Sequence, residues 1–390
     1  VRKPFALFRG QFLSSVLATL PLLAPAAARA GEHLIDISAS NITDVLSDVQ
    51  GGLRRGTRVL DKADVTAVFL GDDRGIQGFS AFVDGQVTDG ANFSGAVVGD
   101  AQTVSNIDGP SSFRLVSAWI AQDFDGRGGI KAGVVDLNTE FDVQATGALF
   151  LNSTFGIGPD FSQSGQNGPS IFPTTGLGLV GWWLPAGHWQ LKAGLFEGAP
   201  GDPMHPGRTS FTLSRDEGVL MVLEARNHLT PDFVVGAGTW RYTASFDAID
   251  PARGRLSGNA GYYAIADGLL YAAPEGDKAG LSGWVRLGFA DDRINPIDAA
   301  ISGGLVYTAP FGRMADQAGI SFARAQFGTP VRRAANGALG LDEMAVETTY
   351  SFNINSHLTV QPDVQYVISP GGDPAIENAL VIGSRFIATW

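Results

Sequence analysis

Side chains able to bind or react are spread thinly along the 390 residues. Where they gather, they alternate. Residues 135–142, VDLNTEFD, place Asp136, Asn138, Glu140 and Asp142 at every second position, with Val135, Leu137 and Phe141 between them. Extended backbone turns successive side chains to opposite faces, so this run reads as a strand with a face of carboxylates and amide. Such a face accepts and donates hydrogen bonds and holds charge. Covalent chemistry would need a base beside a nucleophile, or paired carboxylates on one rim. The five histidines do not supply that: His33, His188, His205, His228 and His357 are scattered, with His188 and His357 in or beside short turns and His205 in a Pro-flanked loop. There is no cysteine, no G-x-S-x-G elbow and no H-E-x-x-H pair. No catalytic residue, metal or cofactor is expected, and a hydrolase built on a barrel rim is the remaining enzyme alternative.

The same period of two recurs along the chain. In 345–354, AVETTYSFNI, the residues Val346, Thr348, Tyr350, Phe352 and Ile354 oppose Glu347, Thr349, Ser351 and Asn353. In 358–368, Val360, Val364, Tyr366 and Ile368 oppose Gln361, Asp363 and Gln365. In 239–246, Trp240, Tyr242, Ala244 and Phe246 alternate with Thr239, Arg241, Thr243 and Ser245. Folding the chain symmetrically about Pro185-Ala186-Gly187 pairs Trp183 with Trp189 and Trp182 with Gln190. That places Trp183 and Trp189 outward at the periplasmic interface, and Trp182 inward with Gln190 and Lys192. With the polar face inward, Arg241, Glu347, Gln361, Asp363, Gln365 and Arg385 point into a lumen, and Arg286 joins them on the face of Trp284. The competing account of each is that lumenal charge only keeps a channel wet.

The element that positions such faces is a transmembrane antiparallel β-barrel. Glycine is abundant (51), with 24 Phe and 7 Trp, while charged residues are 17%; tight turns and interfacial aromatic girdles account for that bias together. Apolar-alternating runs number roughly sixteen to eighteen, each near the ~9–11 residues of a tilted strand, and an even count near sixteen leaves a lumen wide enough for water. The chain ends RFIATW, with Ile382, Ser384, Phe386, Ala388 and Trp390 on one face of a closing strand. Arg2, Lys3 and Arg9 before a Pro-broken apolar stretch, then Ala28-Arg29-Ala30, read as a signal peptide over 1–30, which implies export. Without its four basic residues the chain has 23 basic and 39 acidic groups, or −16. That charge disfavours nucleic acid as a partner. Residues 31–62, with Ile42, Val45, Leu46 and Val49 at helical spacing, are expected to form a short periplasmic or lumen-associated helix before a barrel over 63–390. Residues 156–175, rich in Gly, Pro, Ser and Asn around Phe161 and Phe172, are a loop that either folds into the lumen or stays outside.

KAGVVDLNTEFD (131–142) with LFLNSTFGIGPDFSQSGQNGPSIFP (149–173), and QPDVQYVISPGGDPAIENALVIGSRF (361–386), resemble the characteristic blocks of the carbohydrate-selective porins of bacterial outer membranes. GGLRRGTRV (51–59) and the run from Gly280 to Phe311 are similar as well; Gln50 departs from the family's usual Trp, and 72–112 matches loosely. The resemblance implies a sixteen-stranded barrel, often a homotrimer in outer-membrane lipid, that passes mono- and small oligosaccharides by diffusion. The site residues would then be Asp136, Asn138, Glu140, Trp182, Arg241, Arg286, Glu347, Gln361, Asp363 and Arg385. A general porin without sugar preference is the alternative.

Overall fold

The computed structural model describes residues 34–390 apart from 186, 206, 212, 213, 215 and 275–278; the expected signal peptide lies outside the described residues. Sixteen strands among the described residues close into one antiparallel barrel in sequence order, the last pairing with the first. They are β1 Asp36–Gly52, β2 Gly56–Leu70, β3 Phe79–Asp89, β4 Ser112–Asp123, β5 Gly128–Val135, β6 Gly176–Trp183, β7 Trp189–Glu197 and β8 Val219–Thr230. The second half is β9 Phe233–Asp247, β10 Arg255–Ala272, β11 Gly280–Ala290, β12 Ile297–Thr308, β13 Gln317–Phe327, β14 Asp342–Asn355, β15 Leu358–Ile368 and β16 Glu377–Thr389. Trp390 completes the seam: its N–H donates to the Ala39 carbonyl at 2.9 Å and its carbonyl accepts from the Ala39 N–H at 3.2 Å. Connections at the end holding both termini are short, as in β14–β15 and β8–β9; the other end carries the long ones, 90–111 and 136–175. Short turns mark the periplasmic end of an outer-membrane barrel and long loops its outer end.

Alternation is borne out on β14 to β16. Glu347, Thr349, Ser351, Gln361, Asp363, Gln365 and Arg385 are buried inward, while Val364, Ile382 and Phe386 are exposed to the outside. Trp183 and Trp189 face outward on the periplasmic side.

Four expectations are corrected. Residues 42–49 are not helical: they belong to β1, so the barrel begins at Asp36 rather than near 63. Positions 42, 45, 46 and 49 satisfy helical spacing, but strand alternation turns Leu46 inward with Asp44 and Asp48 and Val49 outward. The β6–β7 hairpin pairs Trp183 with Leu191 and Trp182 with Lys192, two residues from the symmetric fold. An even shift preserves the faces, so the assignment of Trp182 inward survives. On β9 the faces are inverted: Trp240 and Tyr242 are buried inside, and Arg241 is exposed outside. Finally, β5 ends at Val135, and 137–139 form a 3₁₀ turn, so Asp136, Asn138, Glu140 and Asp142 do not share a strand face.

The inversion on β9 has a packing cause. The 136–175 loop enters the lumen, and Phe161 stacks on Trp240 with ring centroids 4.9 Å apart and planes within 3°. Around them Val135, Leu137, Phe141, Val180, Phe196, Leu220, Tyr242 and Tyr263 make an apolar core inside the barrel. Where the lumen holds protein instead of water, the inward face is aromatic, because burying large rings is favourable and leaving Arg241 there would strand a charge. Glycine serves this core within strands as well as in turns. A Cβ at Gly261 would sit 2.3 Å from the Trp240 ring, at Gly238 2.3 Å from Tyr263, and at Gly304 2.5 Å from Trp284. Each glycine lets the ring of a neighbouring strand lie flat against the wall.

Candidate functional site

Two outer loops narrow the lumen, and the wall holds both by polar contacts. The 136–175 loop crosses from β5 to β14 and returns. Asp142 receives Arg286 Nε at 3.0 Å and Nη2 at 2.7 Å, while its N–H donates to Glu224 at 2.9 Å. Asp160 on the returning limb binds the same guanidinium. Thr146 is held by Asp267 on β10, and the Leu149 carbonyl accepts from Gln361 Nε2 at 2.7 Å. The 90–111 loop lies beside it. Ser105 donates to Asp44 at 2.7 Å, and Arg385 grips Asp44 with two bonds of 2.7 Å and Asn106 with one of 2.8 Å. Two backbone bonds join the loops, Asn106 N–H to Leu151 carbonyl and Ser153 N–H to Thr103 carbonyl. Residues 156–175 therefore fold inward.

The predicted site residues divide accordingly. Arg286, Glu347, Gln361 and Arg385 are inward but spent on anchoring the loops, and Asp363 is buried beside them, within hydrogen-bonding reach of Gln365. Asn138 staples its own loop, donating to the carbonyls of Phe141, Asp142 and Gly156 at 3.2 Å, and Asp136 caps the turn by accepting from the Asn138 N–H at 2.8 Å. Arg241 is outside the lumen. Glu140 and Trp182 remain close to open space.

Partly exposed side chains, Lys62, Phe82, Asp84, Trp119, Trp182 and Lys192, mark that space along the inner faces of β2 to β7, beside the packed loops. Glu140 is held between Lys131 and Lys192, the latter at 2.9 Å. Burial alone would raise its carboxyl, but the two ammonium groups outweigh that and bring it down to about 2. Lys131 Nζ also stands 4.1 Å above the Trp119 ring, and Trp119 stacks on Phe82 with centroids 5.4 Å apart. Trp182 lies over Gly129, where a Cβ would meet its ring at 2.2 Å. Further along the wall Lys62 pairs with Asp64 at 3.1 Å, Gln86 donates to Asp64 at 2.6 Å, and Asp84 is half-buried between them and Asp136. Sequence reasoning missed Phe82, Trp119, Lys62, Asp84 and Lys131. The signal was present, since exposed Ile120 and Ile130 flank inward Trp119 and Lys131 in the same alternation.

A closed sixteen-stranded barrel with outward apolar residues, aromatic residues at its periplasmic rim and a lumen half filled by inward loops is a porin of the outer membrane. The chain matches the family model for carbohydrate-selective porins, the OprB family, over residues 66–389, and it belongs to that family. It is 25% identical to Porin B of Pseudomonas aeruginosa over 340 residues, covering 76% of this chain and 74% of that protein. Its fold is similar to the high-pH structure of Pseudomonas putida OprB, with a TM-score of 0.80 at 22% identity, covering 91% of this chain and 94% of the other. The outer-membrane channel DcaP of Acinetobacter baumannii is similar in fold at a TM-score of 0.55 and 7% identity, over 93% of this chain and 98% of that one. A channel, rather than an enzyme, is what family and fold describe.

Proposed function

We propose that this porin passes mono- and small oligosaccharides by passive diffusion, and that the sugar rides along the Trp119–Phe82 face beside Lys131, Glu140 and Lys192. The observation that carries the reading is this partly exposed aromatic pair on the inner wall, in contact with an ion triad at the edge of the packed core. A sugar ring has an apolar face of C–H groups and an edge of hydroxyls; an indole matches the first and charged groups the second. Competition with water keeps the affinity weak, near millimolar or about −4 kcal/mol, as passage requires. Trp182 lines a cavity together with Lys192 of the triad. The test is single-channel recording with sugars as blockers. Trp119→Ala should raise the concentration for half-block roughly fivefold, the scale of one lost aromatic contact of ~1 kcal/mol. If glucose and small oligosaccharides never slow the wild-type current, the pore is a general one.

We also infer that the barrel self-associates through the outer faces of β1 and β2, as a homotrimer. Asp61 points outward from within β2 and accepts from Asn41 at 3.0 Å and from Thr43. Ser47 and Thr57 continue the polar strip at 2.7 Å. Polar side chains at this depth are costly against lipid, and around a threefold axis the β1 face of one copy meets the β2 face of the next, which supplies polar partners. Lipid covers the apolar remainder of the outer wall.

A further inference from the structure

We propose that Glu343 and Glu347 are positioning residues that set the aperture of the pore, acting as two carboxylate rulers between β14 and the two constricting loops. They stand four residues apart on the inner face of one strand, and neither is accessible. Each meets two successive backbone amides of a different loop. Glu343 accepts from the Ala101 N–H at 2.7 Å and the Gln102 N–H at 2.9 Å; Glu347 accepts from the Leu151 N–H at 2.6 Å and the Asn152 N–H at 3.0 Å. The two oxygens of each carboxylate divide the pair, one amide to each oxygen. A third amide, Gly371 N–H in the β15–β16 connection, reaches Glu343 at 2.5 Å.

The chemistry explains the residue type. Two convergent N–H donors need two acceptor oxygens at carboxyl spacing. Glutamine would present one oxygen and one NH₂, the latter facing a donor. Because the bonds go to backbone, loop position depends on the length of the wall residue. The loops are also tied to each other at Asn106–Leu151 and Ser153–Thr103, so one ruler cannot move its loop without straining the other. None of the ion-paired groups of the lumen, Glu140 or Arg286 among them, has this form.

The proposal rests on the porin reading, and its test uses conductance, which needs no sugar. Glu347→Asp keeps the carboxyl and both its oxygens but shortens the arm by one methylene, about 1.5 Å. It draws the loop toward the wall, so open-channel conductance should rise while heat-modifiable gel migration shows a folded barrel. Glu343→Asp should act in the same direction. Glu347→Gln should give a noisier current, because one amide is released. In channels that sugars block, each variant should also raise the half-block concentration roughly threefold, since a wall displaced by about an ångström loses its fit to the solute. If both Asp variants fold and conduct like wild type, the rulers do not set the aperture and the proposal is overturned. Wild-type channels that ignore sugar while the Asp variants still change conductance would sink the sugar reading and leave this one standing.

Discussion

At the residue scale, the lumen is a place where charge is stored against protein more than against water. Arg286 is fully buried with Asp142 and Asp160, which are likewise buried. Breaking such a cluster from the cationic side leaves two buried carboxylates without a cation, so Arg286→Met should destabilise the barrel by ~3–5 kcal/mol; thermal unfolding followed on semi-native gels measures it. Glu140 gives a pH dependence of defined sign. Its folded value of about 2 lies below the ordinary 4.5, so its contribution is complete above pH 4.5 and is lost as pH falls toward 2. Fluorescence of Trp119, which touches the Lys131 partner, should shift as the native carboxyl titrates near pH 2 and stay flat above about pH 4, and Glu140→Gln should abolish the shift. Parity along a strand was enough to read Glu347, Gln361, Asp363, Arg385 and Arg286 as inward. It could not reveal that they serve the loops, because partners such as Leu151 or Asp142 lie some 140 to 200 positions away in the chain.

At the element scale, strands whose two faces meet different solvents were the legible ones. β14, β15 and β16 separate Val, Ile and Phe from Glu, Gln and Arg, and the assignment followed. β9 failed for a physical reason: its inner face meets Phe161 rather than water, so both faces can be apolar and polarity no longer tells them apart. β1 failed because four apolar positions fit a helix as well as a strand, and its outer face carries Asn41 and Thr43 where lipid-facing strands carry hydrocarbon. The outward side of β15 yields a direct check. Val364→Arg should cost ~2–4 kcal/mol if the position lies near the bilayer midplane, and folding titrations into lipid vesicles measure that cost. A negligible cost would mean that Val364 lies near the interface or is covered by protein.

At the scale of the whole molecule, the barrel is asymmetric inside and out. Outside, the polar strip on β1 and β2 contrasts with Leu, Val and Phe elsewhere, and Asp61→Leu separates two accounts of it. If copies meet there, the substitution should weaken the trimer in light scattering of detergent-solubilised protein; if lipid covers the strip, the oligomer should be unchanged and the folded protomer more stable. Inside, the 136–175 loop and the wall form a packed aromatic core, flanked on β3 to β7 by the partly exposed Phe82, Trp119, Trp182 and Lys192. That core makes the loop part of the folded unit, with a lifetime that can be timed. The amide hydrogens of Leu151 and Asn152 both point into the Glu347 carboxylate on the wall side of the loop. They can trade for deuterium only when the loop leaves the wall. Their exchange is a clock for the widened state, and slow exchange, matching the amides of β14, would mean that solutes pass a constriction that stays shut to that motion for many transits.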